Sequence, residues 1–238
     1  MFLLPAGSSS NTLVRLSDAP GLQTRDCYSI ARSVIELSVN VCYVLAKGGA
    51  AAERALRHAR QKAFRDLARD SQIAGHAIRA RYLGAPDVFN VPEVEAQMKE
   101  FTSRDGREKG WVDLSIDDRI SEVGAAFGEP ILGPLHFARF MVYRHSSEIL
   151  HGTLFGALHF LGITSPPAPP RDPKEMADFI GQQHMLVLLA VNLALSAVVD
   201  SFHAKFGFLA AHELSTAIVK SLGQIPYLKD QRPKADMP

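Results

Sequence analysis

Apolar residues recur at three- and four-residue steps along most of this chain, the spacing of one helix face rather than the two-residue alternation of a strand. Over residues 24–46 no proline or glycine interrupts the pattern, which stops at Gly48-Gly49 and so predicts a first helix. A second is predicted over 51–83, rich in Ala and Arg and ended by Gly84-Ala85-Pro86, so that the pair reads as a long antiparallel hairpin of helices. Residues 87–130 carry shorter pieces and read as an insertion or lid: helix over 92–104, a loop over 105–111, and a helix opened by Ser115 as its cap. Residues 134–161 are strongly apolar and helical. The prolines at 166, 167, 169 and 170 each remove a backbone donor, which predicts a stiff connection over 164–173. Helix resumes near Pro173 and runs to about Lys205, and another follows over 209–222. Residues 1–23 read as a flexible opening and 226–238 as a loose tail. No strand alternation with hairpin turns competes, so the predicted fold class is all-α: one helical bundle domain over 24–225, with long antiparallel helices and a short-helix insertion in the middle.

Composition narrows the function classes. A formal charge of +1 gives no global attraction for a polyanion, so any nucleic-acid site must be a local patch. Cys27 and Cys42 lie fifteen residues apart in one predicted helix, beyond disulfide reach, and read as buried thiols of a cytoplasmic protein. The start lacks a basic leader and an apolar run of signal-peptide length, so secretion is not expected. The longest apolar run, 185–199, is fifteen residues and includes Asn192 and Ser196, against about 18 for a spanning helix; it reads as a bundle helix, not a membrane span.

Reactive side chains interrupt the apolar pattern in three places. In the segment 144–152, Arg144, Glu148 and His151 fall within roughly 60° of one another on a helix and Ser147 borders them, so one face carries a cation, a carboxylate, a hydroxyl and an imidazole. Histidine exchanges protons near neutrality and arginine clamps phosphate, a combination suited to phosphate-ester chemistry. Arg144 and His151 are about 10.5 Å apart along a helix axis, so a second subunit whose motif helix faces the first is expected to complete the site. Arg32, Glu36 and Asn40 form a stripe on the first helix, read either as its solvent face or as a pair turned inward on the motif helix. Asn192, Ser196, Asp200 and His203 form another inside an otherwise aliphatic helix, read either as a buried hydrogen-bond network or as a site lining. The expectation is that these stripes meet in one interior cleft. Arg54, His58, Lys62, Arg65 and Arg69 make a basic stripe, for which a solvated face paired with Asp66 and Asp70 outweighs a nucleic-acid track.

Arg144, followed by the polar His145 and six residues before His151, resembles the Arg-polar-(four to six)-His motif of the HEPN superfamily of small helical domains. The chain also resembles a bacterial helical family of unknown function with an early Arg-x-x-x-Glu, here Arg32 to Glu36, and a later Ser-x-x-x-His, here Ser147 to His151. The first resemblance implies a metal-independent ribonuclease of toxin or antiphage type. It would act on RNA as a homodimer, with no cofactor and with an antitoxin or other regulatory partner. His151 would transfer protons, Arg144 would clamp phosphate, and Glu148 or Ser147 would orient His151; Arg32, Glu36, Asn192, Asp200 and His203 would be binding residues. Two alternatives stand beside it. One is a non-catalytic binding or regulatory protein whose polar stripes only specify packing. The other is a metal-binding bundle, since Glu148 to His151 and Asp200 to His203 have the carboxylate-histidine spacing of di-iron bundles and Glu36 could bridge.

Overall fold

A computed structural model describes residues 2–18, 21–66, 68–81, 91–164 and 169–222. The chain order is α1 (Leu3–Leu16), α2 (Thr24–Lys47), α3 (Gly49–Asp66), β1 (Ala68–Ile73), β2 (His76–Arg81), α4 (Val91–Glu100), α5 (Ile116–Phe127), α6 (Glu129–Ala138), a π-helical turn (Arg139–Tyr143), α7 (Arg144–Leu150), α8 (Leu154–Phe160), α9 (Pro173–Phe206) and α10 (Leu209–Leu222). The protein is therefore all-α, with one small hairpin. It divides into two compact units, Met1–Ala46 with Ile116–Pro238, and Lys47–Ser115.

In the larger unit, α2 buries Cys27, Tyr28, Ala31, Val34, Ile35, Val39 and Cys42, a stripe at helical spacing. It packs with Leu13 of α1, Ala138, Val142 and Ile149 of the α6–α7 run, and Val187, Ala190, Val191 and Ala194 of α9 in one core. Leu13 is wholly buried, so the N-terminal stretch expected to be a flexible opening is a packed helix. Its serines mislead a reading of composition because they satisfy themselves locally: Ser10 and Ser17 donate to the carbonyls of Ala6 and Leu13. The start of α9 follows from its residues, with Asp172 accepting from the Lys174 and Glu175 amides at 2.8 and 2.9 Å and Pro173 opening the first turn. Its end is Gly207 in the left-handed conformation at φ 75°. Cys27 and Cys42 are free and buried, and burial pushes the Cys42 thiol up to about 12.

Two helices, Thr24–Lys47 and Pro173–Phe206, are long and apolar enough to cross a membrane by length and composition. In each, about half of the apolar window packs inside the protein, as in a bundle's core helix.

The smaller unit departs from expectation twice. The second predicted helix ends at Asp66, and the Ala- and Arg-rich stretch after it forms the β1–β2 hairpin, paired Ala68 to Arg81 through Ile73 to His76. The turn residues Ala74 and Gly75 both have positive φ, 51° and 81°, the backbone that a two-residue hairpin loop requires. The insertion is Lys47–Ser115 rather than 87–130, because α5 buries Ile116, Ile120 and Val123 in the larger unit. The basic stripe of α3 is satisfied within its own unit. Arg57 meets Glu100 through two bonds of 3.0 and 3.1 Å, Arg60 meets Glu93 at 2.9 Å, Lys62 meets Glu108 at 2.7 Å, and Arg65 donates to Thr102 at 2.5 Å. Asp66 pairs with Lys62 at 3.4 Å, while Asp70 pairs with Arg79 across the hairpin. Of the stretches named from sequence, 82–90, most of the Pro-rich connection (165–168) and the tail 226–238 lie outside the described residues.

Candidate functional site

The helical run from Glu129 to Leu150 is broken in its hydrogen-bond pattern, not its direction, by the π-helical turn at Arg139–Tyr143. In an α-helix residues five apart point about 140° away from each other; where bonds run from i to i+5 they come nearly into line. The turn so places two pairs, Arg139 with Arg144 and Phe140 with His145, along one wall of an open cleft of about 710 Å³. Met141, Glu148 and Phe155 complete its lining.

Each group is held by a local device. Asp117 of α5 grips Arg139 at 2.6 and 2.7 Å, leaving the rest of that guanidinium toward the cleft. Arg144 is exposed and makes no ion pair among the described residues. Glu148 accepts a hydrogen bond from Thr153 at 2.8 Å, and Thr153 also caps α8 by accepting from the Gly156 amide at 3.0 Å. Gly156 allows α8 to lie directly on the α7 backbone, since a Cβ there would sit 2.6 Å from the Glu148 carbonyl. That close approach sets His159 of α8 against His145, with ring centroids 4.3 Å apart and planes within 11°. Phe155 stacks on the other side of His159 at 5.8 Å and 13°. Burial, then the neighbouring Arg144 cation, lowers the His145 pKa; burial, then His145, lowers that of His159. Both rings are therefore biased to the neutral form, and the His145 Nδ1 is buried without a hydrogen-bond partner among the described residues.

Behind the cleft, Arg32 donates to Glu36 at 3.3 Å and to the Tyr143 hydroxyl at 3.2 Å, and Tyr143 donates to Glu36 at 2.6 Å. The Arg32 guanidinium also lies over the Tyr143 ring at 4.4 Å. Asn40 accepts from Arg119 of α5, whose guanidinium burial pulls below its ordinary value. The first stripe thus turns inward onto the residue that precedes Arg144, as one of its two readings anticipated.

The other stripes do not converge there. His151 is the residue that ends α7: its amide bonds to the Ser147 carbonyl at 3.0 Å, the chain breaks at Gly152 with φ 64°, and the imidazole is exposed and outside the cleft lining. Asn192 donates to Leu188 of its own helix. Asp200 accepts from His212 at 3.0 Å and Ser215 at 3.4 Å, fastening α10 to α9, and His203 stacks on His212 at 4.5 Å. The expected single interior cleft is therefore three separate networks. The carboxylate-histidine pairs are dispersed likewise, and among the described residues no group of three or more His, Cys, Asp or Glu could hold a metal ion. Sequence reading did not find Arg139, Phe140, Tyr143, Phe155 and His159, because a five-residue spacing carries no meaning on an α-helical template.

Residues 8–167 match the family of unknown function DUF5677, and the chain belongs to that family. No curated protein and no solved structure matches it.

Proposed function

We propose that this protein is a metal-independent endoribonuclease of HEPN-like type, acting in the cytoplasm as a toxin or antiphage effector under the control of a partner. The observation that carries the reading is the cleft itself, where Arg139, Arg144, an imidazole biased to the neutral form and a carboxylate line one wall. A neutral imidazole accepts the 2′-hydroxyl proton of RNA as that oxygen attacks phosphorus. The P–O5′ bond breaks, the leaving oxygen takes a proton from a second acid, and a 2′,3′-cyclic phosphate and a 5′-hydroxyl result. The arginines bind the charge that gathers on the phosphate oxygens. His145 has the position of the base and His151, free at the end of α7, that of the acid. The two reach one phosphate when a second copy supplies the other histidine, and the exposed Leu150 and Leu154 flanking His151, 56% and 75% accessible, suit a homodimer contact.

The test is cleavage of end-labelled RNA in chelator, with products resolved for a cyclic phosphate end. Wild type cuts, and His151→Ala, His145→Ala and Arg144→Ala each lose about 10²–10⁴-fold in rate. Folded wild type that cuts no RNA, or cutting indifferent to all three substitutions, would leave a non-catalytic binding protein as the better account.

A further inference from the structure

The ring stack beside the proposed chemistry has no packing role that explains its outer face. Phe155 remains 48% exposed at the end of the Phe155–His159–His145 column, and Phe140, which lines the same cleft, is 74% exposed. Two large apolar rings facing water beside two guanidiniums mark a surface that awaits a flat apolar ligand carrying negative charge. We infer that the Phe155 column, with Phe140, is a stacking platform for unpaired nucleobases, and that it makes the cleft selective for single-stranded RNA over duplex.

This rests on the nuclease reading for the identity of the ligand, but its support is separate. The column is preorganised: Gly156 seats α8 on the α7 backbone and Thr153 fixes the start of α8, so the plane of Phe155 is set before anything binds. Its two imidazoles are held toward the neutral form by burial, so the column presents a π surface rather than a cation. Arg139 and Arg144, one π-helical turn apart, offer phosphate contacts beside it. Bases inside an A-form duplex are already stacked on one another and present only edges and backbone, whereas an unpaired base can swing onto an exposed ring.

The experiment reads binding without cleavage, using a fluorescent 2′-O-methyl 12-mer whose blocked hydroxyl cannot attack. It is compared with the same strand annealed to its complement and with an abasic version. The single strand is expected to bind wild type at least about tenfold tighter than either comparison. Phe155→Ala is expected to weaken it about 5- to 150-fold, the range of one base–aromatic stack, with Phe140→Ala also weaker and Phe155→Trp restoring affinity. Both alanine variants should melt with wild type, because the rings removed are exposed. Equal affinity for duplex or abasic strands, no binding of any oligomer, or alanine variants that alter the oligomeric state but not RNA affinity would each overturn the platform. Cleavage is scored apart from this. RNA cutting with no Phe155 dependence refutes the platform alone, and Phe155-dependent binding without cutting refutes the nuclease alone.

Discussion

Gly156 gives the sharpest test of how the cleft is built. A methyl group added there would lie 2.6 Å from both the carbon and the oxygen of the Glu148 carbonyl and 2.8 Å from the Ile149 nitrogen, where carbon contacts ordinarily settle near about 3.5–4.0 Å. The obstacle is backbone, which cannot rotate aside as a side chain would, so α8 must retreat by roughly 1 Å from α7. Overpacking of this kind costs about 1–3 kcal/mol, offset by at most about 1 kcal/mol from alanine's better helix propensity. Gly133 in α6 is the matched control: it is exposed, and a Cβ there meets nothing within 4 Å. Gly133→Ala should therefore stabilise by about 0.5–1 kcal/mol and Gly156→Ala destabilise by about 1–2 kcal/mol, opposite signs for one chemical change. At about 2–4 °C per kcal/mol for a chain of this length, the two melting temperatures should separate by roughly 3–12 °C. The retreat also unstacks His159 from His145, so the ring protons of both should move in the NMR spectrum of Gly156→Ala and stay put in Gly133→Ala. If Gly156→Ala melts at or above Gly133→Ala, or leaves the histidine resonances in place, the close approach of α8 to α7 is not what holds the cleft.

Other consequences can be checked in the same preparations. Thr153→Val removes the hydroxyl that caps α8 and binds Glu148, and should cost about 1 kcal/mol in urea unfolding, whereas Thr153→Ser should cost little. Tyr143→Phe removes two hydrogen bonds to the Arg32–Glu36 pair and should destabilise by about 1–2 kcal/mol; a neutral result would place that network in solvent. His145, His159 and His184 all have folded pKa values lowered by burial, so below the unfolded value of 6.5 the unfolded chain takes up protons that the native state refuses. Stability should thus be full above 6.5 and fall as pH drops toward about 5, before the carboxylates of Glu100 and Glu108 begin to titrate; a melting temperature flat between pH 7.5 and 5.5 would contradict the burial of all three. Cys27 and Cys42, both wholly buried with thiols pushed upward, should react with a disulfide reagent only after unfolding, which a colorimetric thiol count with and without denaturant will show.

Legibility in the sequence followed the strength of local signals. The bounds of α2, α9 and α10 could be read within a residue or two because Gly48, Pro173 and Gly207 punctuate long stretches of helical period. The β1–β2 hairpin was hidden by helix-favouring Ala and Arg, with only Ala74-Gly75 to mark its turn. The packing of α1 depends on Leu13 meeting helices far away in sequence, which no local composition reports. In the site, Arg144 and Glu148 were visible as one helical face, but the grouping with His151 assumed that the helix continued through Gly152, where it stops. The partners of His145 come from α8 and those of Arg139 from α5, contacts that only folding creates.

The π-helical turn makes the cleft sensitive to residue count in a way that ordinary substitution would not reveal. Ala138 and Val142 before its end and Ile149 beyond it all belong to the core, so the helix enters and leaves the turn with its apolar side in phase. Removing one residue between Arg139 and Tyr143 would let the run relax to a plain α-helix and turn everything after it by about 100°. Either Ile149 leaves the core while Arg144, His145 and Glu148 hold together, or Ile149 stays and the arginines part. A loss of one codon here would thus separate the protein's two requirements, a sealed interior and an aligned wall of charge, which the wider turn allows one helix to meet together.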